Sequence, residues 1–454
     1  MSETAGGRAQ APLFSWEPTP ATFRVEEIGA PAPTGSGEHL QFRLEKRGLD
    51  TWQALDRLGR ALDLKRVAFG CAGLKDARAH TFQDVTVLGL GAAGAERLAE
   101  LEMGDIRLGP AVATERKLRP GQAVGNRFEM RLTFSGEREA AVASGLVRQG
   151  LDRLARLGLG NAFGPQRFGL DGRAAELGRL LLEPEPAAYL LAYAAGELDL
   201  VQQLRERREA SGVARPGETE PASSTGASYG SGAEDTPRAA AGEELLVALE
   251  SNDKGAQRRL ARVASALPPT LAPLARQLAR RRGDLPAALE SIPRRLRRMH
   301  LCAHQALVFN RVLELRGDSI RECLPGDHLL SGFKGVGAPG AGTGQLPSGP
   351  LYGRRSPWPE GHTRPGCCEL AALTEAGLTP EILSRSSLDG ARRALCVFPG
   401  QAKLGPLEGD CEKTGATAAL SFTLPPGAYA TIVLRDLHQR GAAPVEMLGR
   451  QIHE

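Results

Sequence analysis

The residue pair with the clearest chemical potential is Lys75-Asp76, in the turn Gly73-Leu74-Lys75-Asp76. An alternating apolar segment, Asp84 to Leu88, follows shortly after and predicts a half-buried strand. A nearby ammonium favours the charged form of a carboxylate, and a nucleophile or a general base needs that charge. A solvated ion pair on a surface turn would give the same pattern. The pair alone therefore leaves both interpretations open.

Two further stretches combine amide, cationic and aromatic side chains. They are the turn Gly125-Asn126-Arg127-Phe128 and the loop from Asn161 to Gly169. Amides read base edges, arginines hold phosphates and aromatic rings stack on bases, so both stretches favour an RNA ligand. Core packing is the alternative for Phe128, and loop anchoring is the alternative for Phe163 and Phe168.

Arginine is concentrated in two clusters, Arg280-Arg281-Arg282 and the segment Arg294 to Arg298, although the net charge of the 454 residues is only +4. Such clusters could be solvated helix faces. Beside the aromatic and amide stretches they favour a polyanionic partner, because several phosphate contacts supply nonspecific affinity for RNA.

Composition narrows the class of protein. The length predicts about two or three domains, and an apolar run of the roughly 18 residues needed for a membrane span is not found. The first residues carry no charged-then-apolar leader, so we expect a cytoplasmic protein. The seven cysteines form no C-x-x-C pair, and the spacing of His362 and Cys367-Cys368 fits no zinc pattern.

Hydrophobic periodicity predicts strands and helices in an α+β arrangement, with sheet at both ends of the chain and helices between. Strands are expected at 21–28, 40–44, 84–88, 106–108, 126–134, 392–398 and 418–424. Helices are expected after Thr51 as N-cap, over 92–103, over 173–208, from 244 onward and from 430. The polar segment 210–243 predicts a disordered insertion, and the Gly/Pro-rich segment 331–367 predicts irregular structure.

Taken together, these stretches resemble the TruD family of pseudouridine synthases. Its G-x-K-D-x-x-A-x-T-x-Q signature stands complete as Gly73, Lys75, Asp76, Ala79, Thr81 and Gln83. Its other motifs resemble Gly125 to Phe128, Asn161 to Gly169, Thr22 to Glu27, Gln305 to Asn310 and Leu424 to Thr431. Three residues depart from the family pattern: Thr22 replaces an acidic residue, Ala162 an aromatic one and Ala306 a serine.

The resemblance implies a mixed-sheet catalytic core interrupted by a mainly helical TRUD insertion domain. We therefore expect the core in residues 1–160 and 390–454 and the insertion in residues 161–389. The implied substrate is tRNA, with uridine 13 the usual target in bacterial members. A monomer is expected, and the implied reaction needs no metal or organic cofactor.

The resemblance also implies a set of site residues. Asp76 would be the catalytic carboxylate, either attacking C1′ or removing the C2′ proton, and Lys75 would tune or orient it. Phe23 and Phe128 would stack on a uracil flipped out of its helix, Asn126 would form a hydrogen bond nearby, and Tyr429 would supply a pocket aromatic.

Two other functions remain open at this stage. A non-catalytic RNA-binding or tRNA-folding protein could keep the same fold. An unrelated aspartate-dependent hydrolase of a small molecule would show no RNA affinity and weak salt dependence.

Overall fold

The computed structural model describes residues 13–439, except 92, 135–139, 170–171, 212–234, 252–253, 282, 332–344 and 410–414. The described strands are β1 (Phe23–Ile28), β2 (His39–Arg47), β3 (Phe69–Cys71), β4 (His80–Leu88), β5 (Ile106–Leu108), β6 (Val112–Thr114), β7 (Gly125–Phe134), β8 (Leu159–Gly160), β9 (His328–Ser331), β10 (Gln345–Leu351), β11 (Ala391–Ala394), β12 (Cys396–Val397), β13 (Gly400–Leu404) and β14 (Ala416–Leu424). The described helices are α1 (Thr51–Leu62), α2 (Gly94–Ala99), α3 (Ala140–Leu157), α4 (Ala174–Leu180), α5 (Ala187–Ser211), α6 (Asp235–Ser251), α7 (Lys254–Val263), α8 (Ala272–Arg280), α9 (Leu285–Glu290), α10 (Arg294–Arg316), α11 (Arg364–Glu375), α12 (Pro380–Ser384) and α13 (Ala430–Gln439).

A mixed nine-stranded sheet forms the centre of the molecule. Its main order is β13-β14-β7-β1-β4-β2-β5, with β3 paired to β4 and β6 paired to β2. Strands β1 and β4 run parallel, whereas β7 runs antiparallel to both β1 and β14. The C-terminal strands β13 and β14 thus join the sheet through β7, which pairs with β1. The predicted α+β class is confirmed.

One face of this sheet is packed and the other is solvated, as alternating strands require. In β7 the apolar side chains of Phe128, Met130 and Leu132 are buried, while Glu129 and Arg131 between them are exposed. Register pairs Phe128 with Val25, so the packed face continues across the strands at the centre.

Helices cover the packed face in two apolar clusters. One joins the sheet to α3, α10, α11 and α13, and the other joins β2 and β4 to α1. A third cluster holds the helices between residues 180 and 296 together, away from the sheet. The predicted bounds 1–160, 161–389 and 390–454 stay a prediction.

Two predictions about helices are wrong in detail. The N-cap of α1 is Asp50, not Thr51: the Asp50 carboxylate accepts from the Gln53 amide, and the Gln53 side chain accepts from the Asp50 amide. The helix predicted over 173–208 is two helices, α4 and α5. Pro184 and Pro186 stand between them and cannot donate the backbone hydrogen bonds that a continuous helix needs.

The predictions for irregular segments are also corrected. Residues 235–243 of the predicted disordered insertion lie in α6 and residues 210–211 lie in α5, whereas 212–234 lie outside the described residues. The segment 331–367 contains β10 and the start of α11. A β-carbon on Gly349 of β10 would lie 2.9 Å from the Phe309 ring, so tight packing on α10 explains the glycine at this position of the strand.

Two smaller elements also differ from expectation. The strand predicted at 392–398 is two short strands, because β11 pairs with β10 and β12 pairs with β8. The helix predicted over 92–103 is confined to α2. Among the residues that the structure describes, none of the helices has both the length and the apolar character that a membrane span requires.

Candidate active site

A cavity of about 450 Å³ opens over the packed face of the sheet. All six site residues named from the sequence line it: Phe23, Lys75, Asp76, Asn126, Phe128 and Tyr429. They come from four separated parts of the chain, which are β1, the loop after β3, the start of β7 and the segment before α13. The volume falls in the range of sites for small organic groups.

The aromatic floor of the cavity comes from β1 and β7. The rings of Phe23 and Phe128 lie nearly parallel, 11° apart in plane, with centroids 6.4 Å apart. Trp16 contacts Phe23 edge-on at 5.1 Å. Both phenylalanines are buried and yet line the cavity, so core packing and a surface for stacking are not exclusive for Phe128. By contrast, Phe163 packs on Phe309 with a 5.6 Å centroid distance, which fits loop anchoring.

The turn that carries Asp76 is held by buried polar groups beneath it. Thr51, the first residue of α1, accepts a hydrogen bond from the Lys75 amide at 2.8 Å and donates one to Gln83 at 2.9 Å. The Gln83 amide in turn donates to the Gly73 carbonyl at 3.1 Å. Because Thr51 and Gln83 are buried, their side chains fix the path of the turn.

A second support is Lys46, the penultimate residue of β2. Its ammonium group donates to the backbone carbonyls of Leu49, Asp76 and Lys75 at 2.5, 3.0 and 3.3 Å. The Lys46 residue has no exposed surface. Burial lowers the pKa of Lys46 to about 8, although the nearby carboxylates of Asp76 and Asp50 oppose that shift.

The Lys75 ammonium group is held in a buried ion pair and is therefore not free to bind a ligand in the cavity. Its ammonium forms an ion pair with Glu27 at 2.7 Å, and the two side chains are 6% and 0% exposed. The other Glu27 oxygen accepts from the Asp84 amide at 3.2 Å. The buried pair therefore joins the turn to β1 and β4.

Lys75 favours the charged form of Asp76, as expected from the sequence, but this effect does not decide the net direction of the pKa shift. The pKa of Asp76 is raised, because surrounding protein desolvates the carboxylate more strongly than the ammonium groups of Lys46 and Lys75 stabilise its charge. Asp76 is nevertheless exposed by surface area. Its carboxylate lies in a concave cavity, reachable by a ligand and poorly hydrated at the same time.

Two buried polar atoms at the cavity have no hydrogen-bond partner among the residues that the structure describes. They are the buried side-chain oxygens Asn126 Oδ1 and Thr431 Oγ1. An unpaired buried oxygen costs free energy unless a donor reaches it. Both atoms are therefore suited to accept a hydrogen bond from a ligand in the cavity.

Residues Gly427 to Thr431 form the second wall of the cavity. Tyr429 meets Phe163 edge-on at 5.9 Å. Arg393 stacks on Phe163 at 4.2 Å and donates to the Gly427 carbonyl at 3.0 Å. Asn310 of α10 forms hydrogen bonds of 2.8 and 3.0 Å with the Phe163 amide and carbonyl. The Asn161–Gly169 loop thus supports Tyr429 from below.

Sequence reasoning did not predict the supporting role of four residues: Glu27, Lys46, Thr51 and Arg393. One signal for Lys46 was present, because it continues the inward alternation of Phe42 and Leu44 in β2. A lysine at an inward position predicts a buried charge with a specific task. Arg393 gave no comparable signal, since it donates to Asn161, more than 200 residues earlier in the chain.

In the first arginine cluster, Arg280 ends α8 and Arg281 follows it, whereas residue 282 lies outside the described residues. The second cluster opens α10. Arg295 stacks on Trp52 of α1 at 4.8 Å, and Arg297 pairs with Glu290 at 2.9 Å. Arg294 and Arg298 are exposed and have no ion pair among the described residues. Among all the residues that the structure describes, no group of His, Cys, Asp and Glu side chains is arranged to hold a metal ion.

Comparison with known proteins shows which family this chain is similar to. The family model described as tRNA pseudouridine synthase D (TruD) matches residues 17–222 and 256–437. The chain is 33% identical to a tRNA pseudouridine synthase D of Geobacter sulfurreducens, covering 93% of each protein. It is 30% identical to the protein of that name from Geotalea daltonii, covering 92% of this chain and 95% of the relative.

A solved structure supports the fold. A crystal structure from Methanosarcina mazei, which carries the provisional name tRNA pseudouridine synthase D (TruD), superposes with a TM-score of 0.61 at 22% identity and covers 94% of each chain. The pseudouridine synthase fold predicted from the motifs is thereby confirmed. The matched model, the similar sequences and the shared fold together place this chain in the TruD family.

Proposed function

We propose that this protein converts uridine to pseudouridine in tRNA, that Asp76 is the catalytic carboxylate, and that uridine 13 is the target. One observation carries the proposal: the Asp76 carboxylate shares a cavity with two nearly parallel phenyl rings and an unpaired amide oxygen. A flipped pyrimidine needs these groups, since the rings offer stacking surface and the amide oxygen accepts from a base N–H.

The reaction needs one carboxylate and no net change in atoms. The bond between C1′ and N1 breaks, a bond between C1′ and C5 forms, the proton leaves C5 and N1 gains one. Asp76 serves either by attacking C1′ or by removing the C2′ proton. Both routes require the ionised carboxylate, and both place it beside the ribose of the flipped nucleotide.

The remaining residues of the cavity receive roles from their positions. Phe23 and Phe128 would hold the uracil ring, and Asn126 Oδ1 would accept a hydrogen bond from it. Tyr429, on the opposite wall, would close the site beside the ring. Lys75, paired with Glu27, would fix the turn that presents Asp76.

The test is formation of pseudouridine by purified protein on unmodified tRNA transcripts. The wild type should modify a U13-containing transcript and leave its U13→C counterpart unmodified. Asp76→Asn keeps the side-chain size and removes the charge, so it should abolish turnover while tRNA binding changes little.

Three outcomes separate the alternatives. Full activity in Asp76→Asn would refute the role of the carboxylate. Tight tRNA binding without any product by the wild type would identify a non-catalytic RNA-binding protein. Modification of the U13→C transcript would retain the reaction and reject the proposed position.

A further inference from the structure

We propose that Lys46 is a positioning residue that fixes the backbone of the Lys75-Asp76 turn and thereby aims the Asp76 carboxylate. The inference rests on the proposed function, since it concerns the same site. It is based on one observation: the Lys46 ammonium group donates hydrogen bonds to two carbonyls of the turn and to the carbonyl of Leu49.

The number of hydrogen bonds matches the number of donors. A lysine ammonium has three N–H groups, and Lys46 Nζ contacts three carbonyl oxygens, at 2.5, 3.0 and 3.3 Å. Lys46 is fully buried. Each of its protons can thus be used by a backbone acceptor within the protein.

Burial of this charge is costly without a compensating ion pair. Lys46 forms no ion pair at contact distance with a carboxylate among the described residues; its partners there are carbonyl oxygens. A lysine that served packing alone would be replaced at lower cost by an apolar side chain of the same length. The buried ammonium is best explained by its hydrogen bonds to the Lys75 and Asp76 carbonyls, which hold the turn in place.

Lys46 is anchored where the floor of the cavity is built. Register pairs Lys46 with Thr81, Thr81 with Val25, and Val25 with Phe128. Paired residues share a face of a sheet, so the ammonium rises from the same surface as the aromatic floor. It links the turn that carries Asp76 to the strands that carry the rings.

Lys46 acts on the turn at a point that the other supports do not reach. Thr51 holds the Lys75 amide and Gln83 holds the Gly73 carbonyl, whereas Lys46 holds the Asp76 carbonyl itself. Loss of the ammonium would leave two carbonyls of the turn without this donor and let the turn move. A displacement of about 1 Å at a reacting group can lower a rate by roughly 100-fold.

The experiment compares Lys46→Met with Lys117→Met under single-turnover conditions. Lys117 also donates from a lysine to a backbone carbonyl, that of Val67 at 2.5 Å, and it does not line the cavity. We expect Lys46→Met to lower the single-turnover rate constant roughly 10- to 100-fold, with the Kd for tRNA within about threefold of wild type. Lys117→Met should match wild type in both.

A second measurement does not depend on catalysis. Amide hydrogen exchange of residues 73–78 should accelerate in Lys46→Met and not in Lys117→Met, because only the first variant frees the turn. Unchanged exchange would overturn the inference whether or not the protein makes pseudouridine. An inactive wild type with accelerated exchange in Lys46→Met would instead refute the proposed function alone.

A further variant covers the case in which Lys46→Met does not fold. Lys46→Gln offers an amide with two N–H donors to the same carbonyls and removes the charge. We expect a folded protein with a single-turnover rate below wild type and above any folded Lys46→Met. A wild-type rate in Lys46→Gln, or a higher Kd with an unchanged rate, would show that Lys46 does not position the turn.

Discussion

At the scale of single residues, the site depends on a balance of charge around Asp76. Desolvation raises the pKa of its carboxylate, and the ammonium groups of Lys46 and Lys75 partly offset that rise. Glu27 forms an ion pair with Lys75 and neutralises part of its charge. The protein as a whole thus disfavours the ionised form on which the proposed reaction depends, and the two ammonium groups limit that effect.

This balance predicts the acid limb of the pH profile. The single-turnover rate should rise with pH as Asp76 loses its proton, with a midpoint above the usual aspartate range because the pKa is raised. Lys46→Met removes a positive charge and should move that midpoint to higher pH, while Lys117→Met should not. The measurement is the single-turnover rate between about pH 4 and 7. An equal shift of the midpoint in the two variants would contradict the assignment of this midpoint to Asp76.

The basic limb should report Lys46 itself, whose pKa is lowered to about 8 by burial. Above that pH the neutral amine has only two N–H groups for three carbonyl acceptors, so one contact becomes repulsive and the turn loosens. The wild-type rate should fall as pH rises through about 8. Folded Lys46→Gln, with no charge to lose, should be flat there; an identical decline would assign the limb to another group.

At the scale of elements, the first turn of α1 contributes more than packing. Thr51 is the first helical residue, and its hydroxyl joins the Lys75 amide to Gln83. The capping function that its residue type suggested is performed by Asp50 instead. A helix N-terminus and a site turn are therefore coupled through one buried hydroxyl.

Replacement of that hydroxyl gives a matched pair of variants. Thr51→Val keeps the shape and leaves the Lys75 amide and the Gln83 oxygen unpaired, which should lower the free energy of unfolding by about 1–3 kcal/mol. Thr51→Ser keeps the hydroxyl and should lose less. Urea unfolding measures both; equal losses would show that the methyl group, not the hydroxyl, is what the site needs.

The elements under the site could be predicted from sequence to different degrees. Alternation in β1 and β7 predicted the strands that carry Phe23 and Phe128 because burial on one face leaves a period of two. The supports of the turn could not be predicted in the same way. Lys46 and Glu27 meet it only after strands β2, β1 and β4 take their register, and no local pattern encodes that register.

At the scale of the whole molecule, the cavity joins segments that are far apart in the chain. Asp76 and Tyr429 line the same space, because β14 pairs with β7 and returns the end of the chain to the first half of the sheet. Only the resemblance to a family could place Tyr429 in the site from sequence. An alternating pattern predicts that a segment is a strand, but it does not reveal which other strand lies beside it.

The arrangement of charge on the same molecule predicts how tRNA binding responds to salt. Arg294 and Arg298 at the start of α10 are exposed and unpaired among the described residues, so they are free to contact phosphates. Each phosphate contact contributes about 0.7–0.9 to the slope of log K against log salt concentration. Arg294→Ala/Arg298→Ala should therefore weaken tRNA binding at low salt and reduce the slope by about 1.4–1.8.

Arg311→Ala, on the same helix, is the control for that measurement. Its guanidinium is already held by Glu375 at 2.6 Å and by Glu314 at 2.9 Å, so its removal should leave the slope unchanged. The single-turnover rate at saturating protein should be the same in all three proteins, because neither site touches the cavity. An unchanged slope in the double variant would place the tRNA backbone on another face, and a lower saturated rate would link α10 to the chemistry rather than to binding.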